Sequence, residues 1–228
     1  MSETSEIQLV LIRLGFDPGP VDGIPGRRTN SAVLEALEEL ESLRKFSPRE
    51  KKPVVSDDWL PDVDMDRIIV HWTAGGNSAS ELDLQHYHII IEGDGSLVRG
   101  KPSIASNASP LRPGYAAHTL NCNSGSIGVA LAGMAGAVEN PFDPGRAPIT
   151  AAQWSKLASL LADLCEFYDI DVTPTKVLTH AEVQSNLGIQ QRGKWDIAAL
   201  PFDPSFPRSA KAVGDRMRRE TVGVLVSN

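Results

Sequence analysis

The chain has 228 residues, 41% of them hydrophobic and 22% charged, with a formal net charge of −7. That length and balance suit one large globular domain with a small companion and exclude disorder over most of the chain. The negative charge argues against a dedicated nucleic-acid binder, which needs a basic face to neutralise phosphates.

Cys122 and Cys165 are the only cysteines, too few for a disulfide framework, and both read as small apolar fillers in a reducing compartment. The opening Met1-Ser2-Glu3-Thr4-Ser5-Glu6 is acidic where a secretory leader would be basic. Nothing in the chain approaches the length of a membrane span. The expectation is a protein made in the cytoplasm without a signal peptide and without stable membrane insertion.

In chain order, residues 7–40 read as a compact helical unit. Ile7, Leu9, Val10, Leu11 and Leu14 are helix-compatible, and Gly15 supplies a stop. Turns follow at Asp17-Pro18-Gly19-Pro20 and Asp22-Gly23, where proline fixes φ and glycine accepts positive φ. Thr29 is placed to cap a second helix from Asn30 to about Phe46. Residues 46–61, with Pro48, Pro53, Pro61 and the charged run Arg49-Glu50-Lys51-Lys52, read as a linker.

From Asp66 the pattern changes to short apolar runs at Ile68–Val70, Tyr87–Ile91, Ser96–Val98, Ile127–Leu131 and Lys176–Leu178, the signature of strands in a covered sheet. Glu92-Gly93-Asp94-Gly95 has hairpin-turn chemistry. Thr150-Ala151-Ala152-Gln153 forms a capping box that heads an amphipathic helix to about Tyr168. The expected fold is α/β, a mixed central sheet flanked by helices, preceded by a small all-α domain. Ser209–Glu220 has helical spacing and a thin apolar face, which predicts a solvated surface helix.

Two of the strands end in histidine. Ile68-Ile69-Val70 delivers His71, Val177-Leu178-Thr179 delivers His180, and Lys194-Trp195-Asp196 follows. A strand end fixes a side chain yet projects it into the crevice where α/β sites lie. Two imidazoles and one carboxylate make a three-ligand set for a catalytic Zn2+, with one position left for water.

Two resemblances extend this reading. Ile7-Gln8, Leu11, Leu14-Gly15-Phe16-Asp17-Pro18-Gly19-Pro20-Val21-Asp22-Gly23, Gly26, Thr29 and Ala32-Val33 resemble the helical peptidoglycan-binding repeat of many cell-wall hydrolases. That family closes on an aromatic-Gln pair, where this chain reads Glu35-Ala36-Leu37-Glu38 and runs on. The other reading of this unit is a helical cap on the larger domain. Val70-His71-Trp72-Thr73-Ala74, Tyr87-His88-Ile89-Ile90-Ile91, His118 with Asn123 and Ser126-Ile127-Gly128-Val129, Leu178-Thr179-His180 with Glu182, and Lys194-Trp195-Asp196 occur in order. Together they resemble the zinc-dependent N-acetylmuramoyl-L-alanine amidases with the peptidoglycan-recognition-protein fold.

The resemblance implies that His71, His180 and Asp196 hold zinc, and that Lys194 and Tyr87 are catalytic. Lys194 lays positive charge beside the metal, and Tyr87 matches a position near the attacking water. The plainer alternative for Tyr87 is an inward strand aromatic. His118 either contacts substrate or holds the crevice loop, and with Asn123 it is counted as substrate-binding. Trp72 and Thr73 are expected to line the crevice floor. His86 and His88 are assigned to structure, and Glu182 either orients a ligand or is solvated.

The domains expected are 1–45 peptidoglycan-binding, 46–61 linker, 62–205 zinc amidase, and 206–228 C-terminal helix or tail. The function expected is cleavage of the amide between N-acetylmuramic acid and L-alanine by a monomeric, endolysin-type enzyme. Its partner is peptidoglycan rather than nucleic acid, and another protein releases it to the wall. The competing readings are a cytosolic amidase that recycles soluble muropeptides, a non-catalytic recognition module, and a toxin delivered into a neighbouring cell's envelope.

Overall fold

The computed structural model describes residues 2–13, 15–46 and 53–227. Leu14 and residues 47–52 of the expected linker lie outside the described residues. The chain divides into two compact units that part between residues 52 and 53.

The first unit contains helices α1 (Glu3–Arg13) and α2 (Arg27–Phe46). Leu11, Ala32 and Ala36 form its core, with Phe16 and Val33 against them. The loop between the helices is pinned by Gln8. Its amide donates to Asp22 Oδ1, the Ile24 carbonyl and Thr29 Oγ1 at 3.0–3.2 Å, and its oxygen accepts from Gly23 N at 3.0 Å. Thr29 in turn donates to the Pro18 carbonyl. Thr29 is therefore not the cap expected: α2 begins two residues earlier, and the hydroxyl is spent on the loop.

The second unit is built on a five-stranded sheet of order β3-β2-β4-β1-β5. The strands are β1 (Arg67–Trp72), β2 (Ile89–Ile91), β3 (Leu97–Arg99), β4 (Ser126–Leu131) and β5 (Val177–Thr179). Parallel pairing joins β1 to β4 and β5, and β2 to β4, while β3 returns antiparallel on β2. The β2–β3 hairpin turns through Gly95 at φ +89°. The helices are α3 (Glu81–His86), the short α4 (Ile104–Asn107), α5 (Ala151–Phe167), α6 (His180–Leu187) and α7 (Ala210–Val226). The mixed sheet flanked by helices is the architecture expected from the sequence.

Alternation along β1 sorts its side chains between two faces. Ile68, Val70 and Trp72 enter the main core with α5 and α7 residues such as Leu157, Leu161, Val213 and Met217. Ile69 packs on the other face with Leu178, Cys122 and Val183 of α6. The capping box of α5 is formed as expected, Gln153 N donating to Thr150 Oγ1 and Thr150 N to Gln153 Oε1. The buried Gln153 amide also donates to the Ile91 and Ala132 carbonyls, both at 2.8 Å. One side chain thus ties the helix start to the carboxyl ends of β2 and β4.

Two boundaries differ from expectation. Val55 and Leu60 of the expected linker are buried in the main core, and Val54 N donates to Asp163 Oδ2 at 2.6 Å. The C-terminal helix is not solvated on all sides. Val213, Gly214, Met217, Arg218 and Thr221 are buried, because α7 packs on α5, α6 and β5. The prolines and the thin apolar face hid these contacts. The tertiary surroundings, not helical spacing, supply the partners.

Candidate metal centre and substrate groove

His71, His180 and Asp196 come together. One donor atom from each lies within 4.8 Å of the others, and all three residues are buried. His71 is inside β1 opposite Ala130, one residue before the strand ends. His180 is the first residue of α6, directly after β5. The backbone draws Asp196 to them, Ala181 N donating to the Asp196 carbonyl at 2.6 Å. The site therefore stands at the carboxyl ends of parallel strands, where α/β folds bind ligands.

Protonation follows from burial and partners. Burial brings the His71 imidazole down to about 4, against the opposing pull of Asp196. Burial works against the charged form of Asp196, but its contacts with His180 and His71 outweigh it and hold the carboxyl at about 2. At neutral pH His71 is a neutral ring and Asp196 a carboxylate.

The ring protons can be assigned from the network. His118 Nε2 donates to the Ser126 carbonyl at 3.3 Å, so His118 Nδ1 accepts from His71 Nε2 at 3.1 Å. Gln191 donates its amide to the Leu120 carbonyl at 2.8 Å, which turns its Oε1 toward His180 Nε2 at 2.9 Å. Both Nε2–H groups are thereby engaged on the outside. Both Nδ1 atoms then face Asp196 Oδ2, at 3.2 Å from His71 and 3.1 Å from His180.

In that tautomer three acceptors this close repel one another unless a proton or a cation lies between them; in the metal-free site it is a proton shared from the His180 and His71 rings that holds Asp196 low. Tetrahedral zinc with nitrogen and oxygen ligands at about 2.0–2.2 Å sets neighbouring ligand atoms roughly 3.3 Å apart, near the two separations found here. The donor set fits zinc.

Room for this arrangement comes from small residues on β4. A Cβ at Gly128 would lie 2.6 Å from the His118 ring. Gly128 N donates to His88 Nδ1 at 2.9 Å, and His88 Nε2 donates to Asn107 Oδ1 at 3.0 Å. Asn107 reaches on to the Ala116 and Asn123 carbonyls. His88 is thus structural, as expected, and burial lowers it to about 4. His86 caps its own helix turn by donating to the Leu82 carbonyl.

The remaining expected residues divide. Tyr87 is not in a strand: it is the C-cap of α3, with its ring centroid 5.3 Å from that of His71. Burial, reinforced by Asp196 and Asp83, raises its phenol far above the ordinary range. Lys194 is exposed and lines a groove of about 610 Å³ together with His118, Asn123, His180, Gln191 and Arg192. Asn123 Oδ1 accepts from His118 N and Thr119 N, so its side chain holds the loop that carries His118.

Trp72 does not line the crevice. Alternation along β1 turns it to the face opposite His71, where its ring stacks edge-on against Trp195 at 4.5 Å. Thr73 braces the loops after β1 and β4 by accepting from Gly75 N and Gly133 N. Glu182 is buried rather than solvated, and Thr179 N donates to it at 2.9 Å.

Sequence reasoning passed over Gln191. It is buried, but nothing in Gly188-Ile189-Gln190-Gln191-Arg192 distinguishes it from its neighbour. Its only signal was a polar loop lying between two candidate ligands.

Comparison with known families places residues 61–197 in the family described as N-acetylmuramoyl-L-alanine amidase. The chain belongs to that family. All three candidate metal ligands of the amidase fall within the matched span, while α7 lies beyond it. Comparison with curated proteins finds no match.

Similar solved structures include the endolysin amidase LysCS from Clostridium intestinale URNW, 17% identical over 56% of this chain and 86% of that one, with a TM-score of 0.35. Another is the Ph2119 endolysin of Thermus scotoductus MAT2119 bacteriophage Ph2119. It is 19% identical over 58% of this chain and 79% of that one, with a TM-score of 0.36. Among the described residues no helix is long and apolar enough to cross a membrane.

Proposed function

We propose that this amidase is zinc-dependent, that His71, His180 and Asp196 hold the ion, and that it acts on the cell wall as a monomeric, endolysin-type lytic enzyme. The observation that carries the metal reading is the convergence of two Nδ1 atoms on Asp196 Oδ2 with both Nε2–H groups committed elsewhere. When bound, zinc supplies Lewis acidity that makes water nucleophilic near neutral pH.

The chain's own residues do the rest. Attack on the lactyl carbonyl carbon forms a C–O bond and an oxyanion. Collapse then breaks the C–N bond, and the proton lost by water goes to the L-alanine amine. Lys194, on the groove wall beside His180, offers positive charge where the oxyanion develops. Tyr87, its ring centroid 5.3 Å from that of His71 and its phenol raised by burial in the metal-free site, donates a hydrogen bond to the reacting water and assists the proton's transfer.

The likeness of residues 7–33 to a wall-binding repeat supports a lytic role over recycling, since a soluble muropeptide needs no anchor. Tethering a weak wall binder to the amidase raises local substrate concentration on an insoluble polymer.

The test is digestion of purified peptidoglycan with and without a zinc chelator, with products read by mass spectrometry. Chelator-sensitive release of peptides with a free L-alanine amine, leaving intact glycan strands, is expected. Release that ignores chelation would overturn the zinc reading, and binding without release would overturn catalysis.

A further inference from the structure

We propose that Arg218, on the C-terminal helix and outside the span matched by the family, is a positioning residue for His180, acting through Glu182. The inference rests on the zinc reading above.

The turn that presents His180 runs from β5 into α6. Glu182 holds the near side of that turn, accepting from Thr179 N at 2.9 Å and from Thr179 Oγ1 at 3.3 Å. Arg218 then grips Glu182 with both arms of its guanidinium. Nη1 donates to Oε2 at 3.1 Å and Nη2 to Oε1 at 2.9 Å. The same Nη1 donates to the Val177 carbonyl at 3.0 Å, the first residue of β5. A single planar group thereby fixes both ends of the segment Val177–Glu182, and His180 lies between them. Both side chains are buried, Arg218 at 8% and Glu182 at 2% exposure, so water competes little for the contacts. Asp215 orients the guanidinium from within α7, accepting from Nη2 at 2.8 Å.

A second, independent feature points the same way. Gly214 stands directly over Glu182, and a Cβ there would lie 2.1–2.2 Å from the carboxylate. Helix propensity favours alanine over glycine at such an interior position. The glycine is thus explained by the space that Glu182 needs, not by α7 itself.

Gln191 sets the direction of the His180 ring from the groove side. Arg218 sets the position of its backbone from behind. Metal affinity should therefore depend on a helix that touches neither metal nor substrate.

The experiment uses the full chain and zinc alone, titrated in competition with a chromophoric chelator, with near-UV circular dichroism to certify the fold. Arg218→Met should weaken zinc binding by about 10–100-fold, the usual cost of losing a group that supports a ligand. Arg218→Lys should recover part of the loss, because it keeps the charge but not the two-armed grip. Met217→Ala, which empties the α5–α7 core on the same helix, should lower Tm yet leave zinc affinity unchanged. If Arg218→Met does not fold, Gly214→Ala reads the same contact, and it should weaken zinc although it strengthens the helix.

Wild-type affinity in either Arg218→Met or Gly214→Ala would overturn the proposal. So would an equal loss in Met217→Ala, which would trace the effect to stability. A wild-type protein that binds no zinc would instead overturn the zinc reading itself.

Discussion

Replacing Gln191 with leucine tests whether the tautomers of the site are set by its surroundings. In the native arrangement the His180 proton sits on Nε2 because Gln191 Oε1 accepts it at 2.9 Å. Leucine removes that acceptor while keeping most of the volume. The proton can then move to Nδ1, where Asp196 Oδ2 waits at 3.1 Å. A hydrogen bond to a charged group is worth about 1.5–3 kcal/mol, and zinc must now displace it. At about 1.4 kcal/mol per tenfold, the affinity should fall roughly 10- to 100-fold. The Leu120 carbonyl, which loses its donor, adds a stability cost of about 1–3 kcal/mol. The assay pairs chelator-competition titration of zinc with urea unfolding of the metal-free protein. Gln191→Glu, which restores an acceptor, should bind zinc nearly as well as the native chain. Undiminished affinity in Gln191→Leu, with the predicted loss of stability, would refute the tautomer argument.

Other expectations follow from the same geometry. Lys194→Ala should retain zinc while kcat falls by about 10²–10³, as for loss of one oxyanion stabiliser, and steady-state kinetics with unchanged activity would remove Lys194 from the mechanism. Tyr87→Phe keeps the ring against His71 but loses the donor, so the rate should drop by roughly 10²-fold with zinc content intact. The metal-free protein should lose stability in acid. His71 and His88 are held at about 4, so the unfolded chain, with histidine near 6.5, takes up their protons first as pH falls. Their stabilising effect is complete above pH ~6.5 and declines toward pH 4, at about 3 kcal/mol per residue; urea midpoints that stay level across that window would contradict it. Cys165 is buried and its thiol is pushed up to about 12, chiefly by burial. Iodoacetamide at pH 8 should leave it unmodified in the native protein and label it after denaturation.

The sequence was most legible where one residue type had one job. Short apolar, β-branched runs placed the strands, and Thr150 with Gln153 announced α5 because a capping box is read from four consecutive residues. The cluster of His71, His180 and Asp196 was legible because two strand-end histidines and a following carboxylate fell in the order of the amidase motifs; either histidine alone says little, since buried histidines more often serve structure, as His88 does. Three things were not legible. The face of Trp72 depended on where β1 stopped, and the strand runs two residues further than its apolar core suggested. Tyr87 sits where a helix hands over to a strand, so the apolar run Tyr87–Ile91 put it in β2 rather than at the cap of α3. Gln191, Arg218 and Gly214 act through partners 11 to 36 residues away in sequence, and no local pattern encodes such distances.

The glycine at position 128 has a consequence for how this protein can vary. The site needed vacancy as much as it needed ligands: the wall behind His118 had to be a bare backbone, and Ala130 beside His71 follows the same economy of volume. Large side chains on that strip of β4 would not merely perturb the site but occupy it. The opposite strip, Ile127, Val129 and Leu131, faces an ordinary apolar core and can exchange one aliphatic shape for another at modest cost. One strand therefore carries two unequal constraints, with one set of alternate positions tolerant of aliphatic exchange and the other held small. A saturation library across residues 126–131 would record that as a tolerance profile with a period of two.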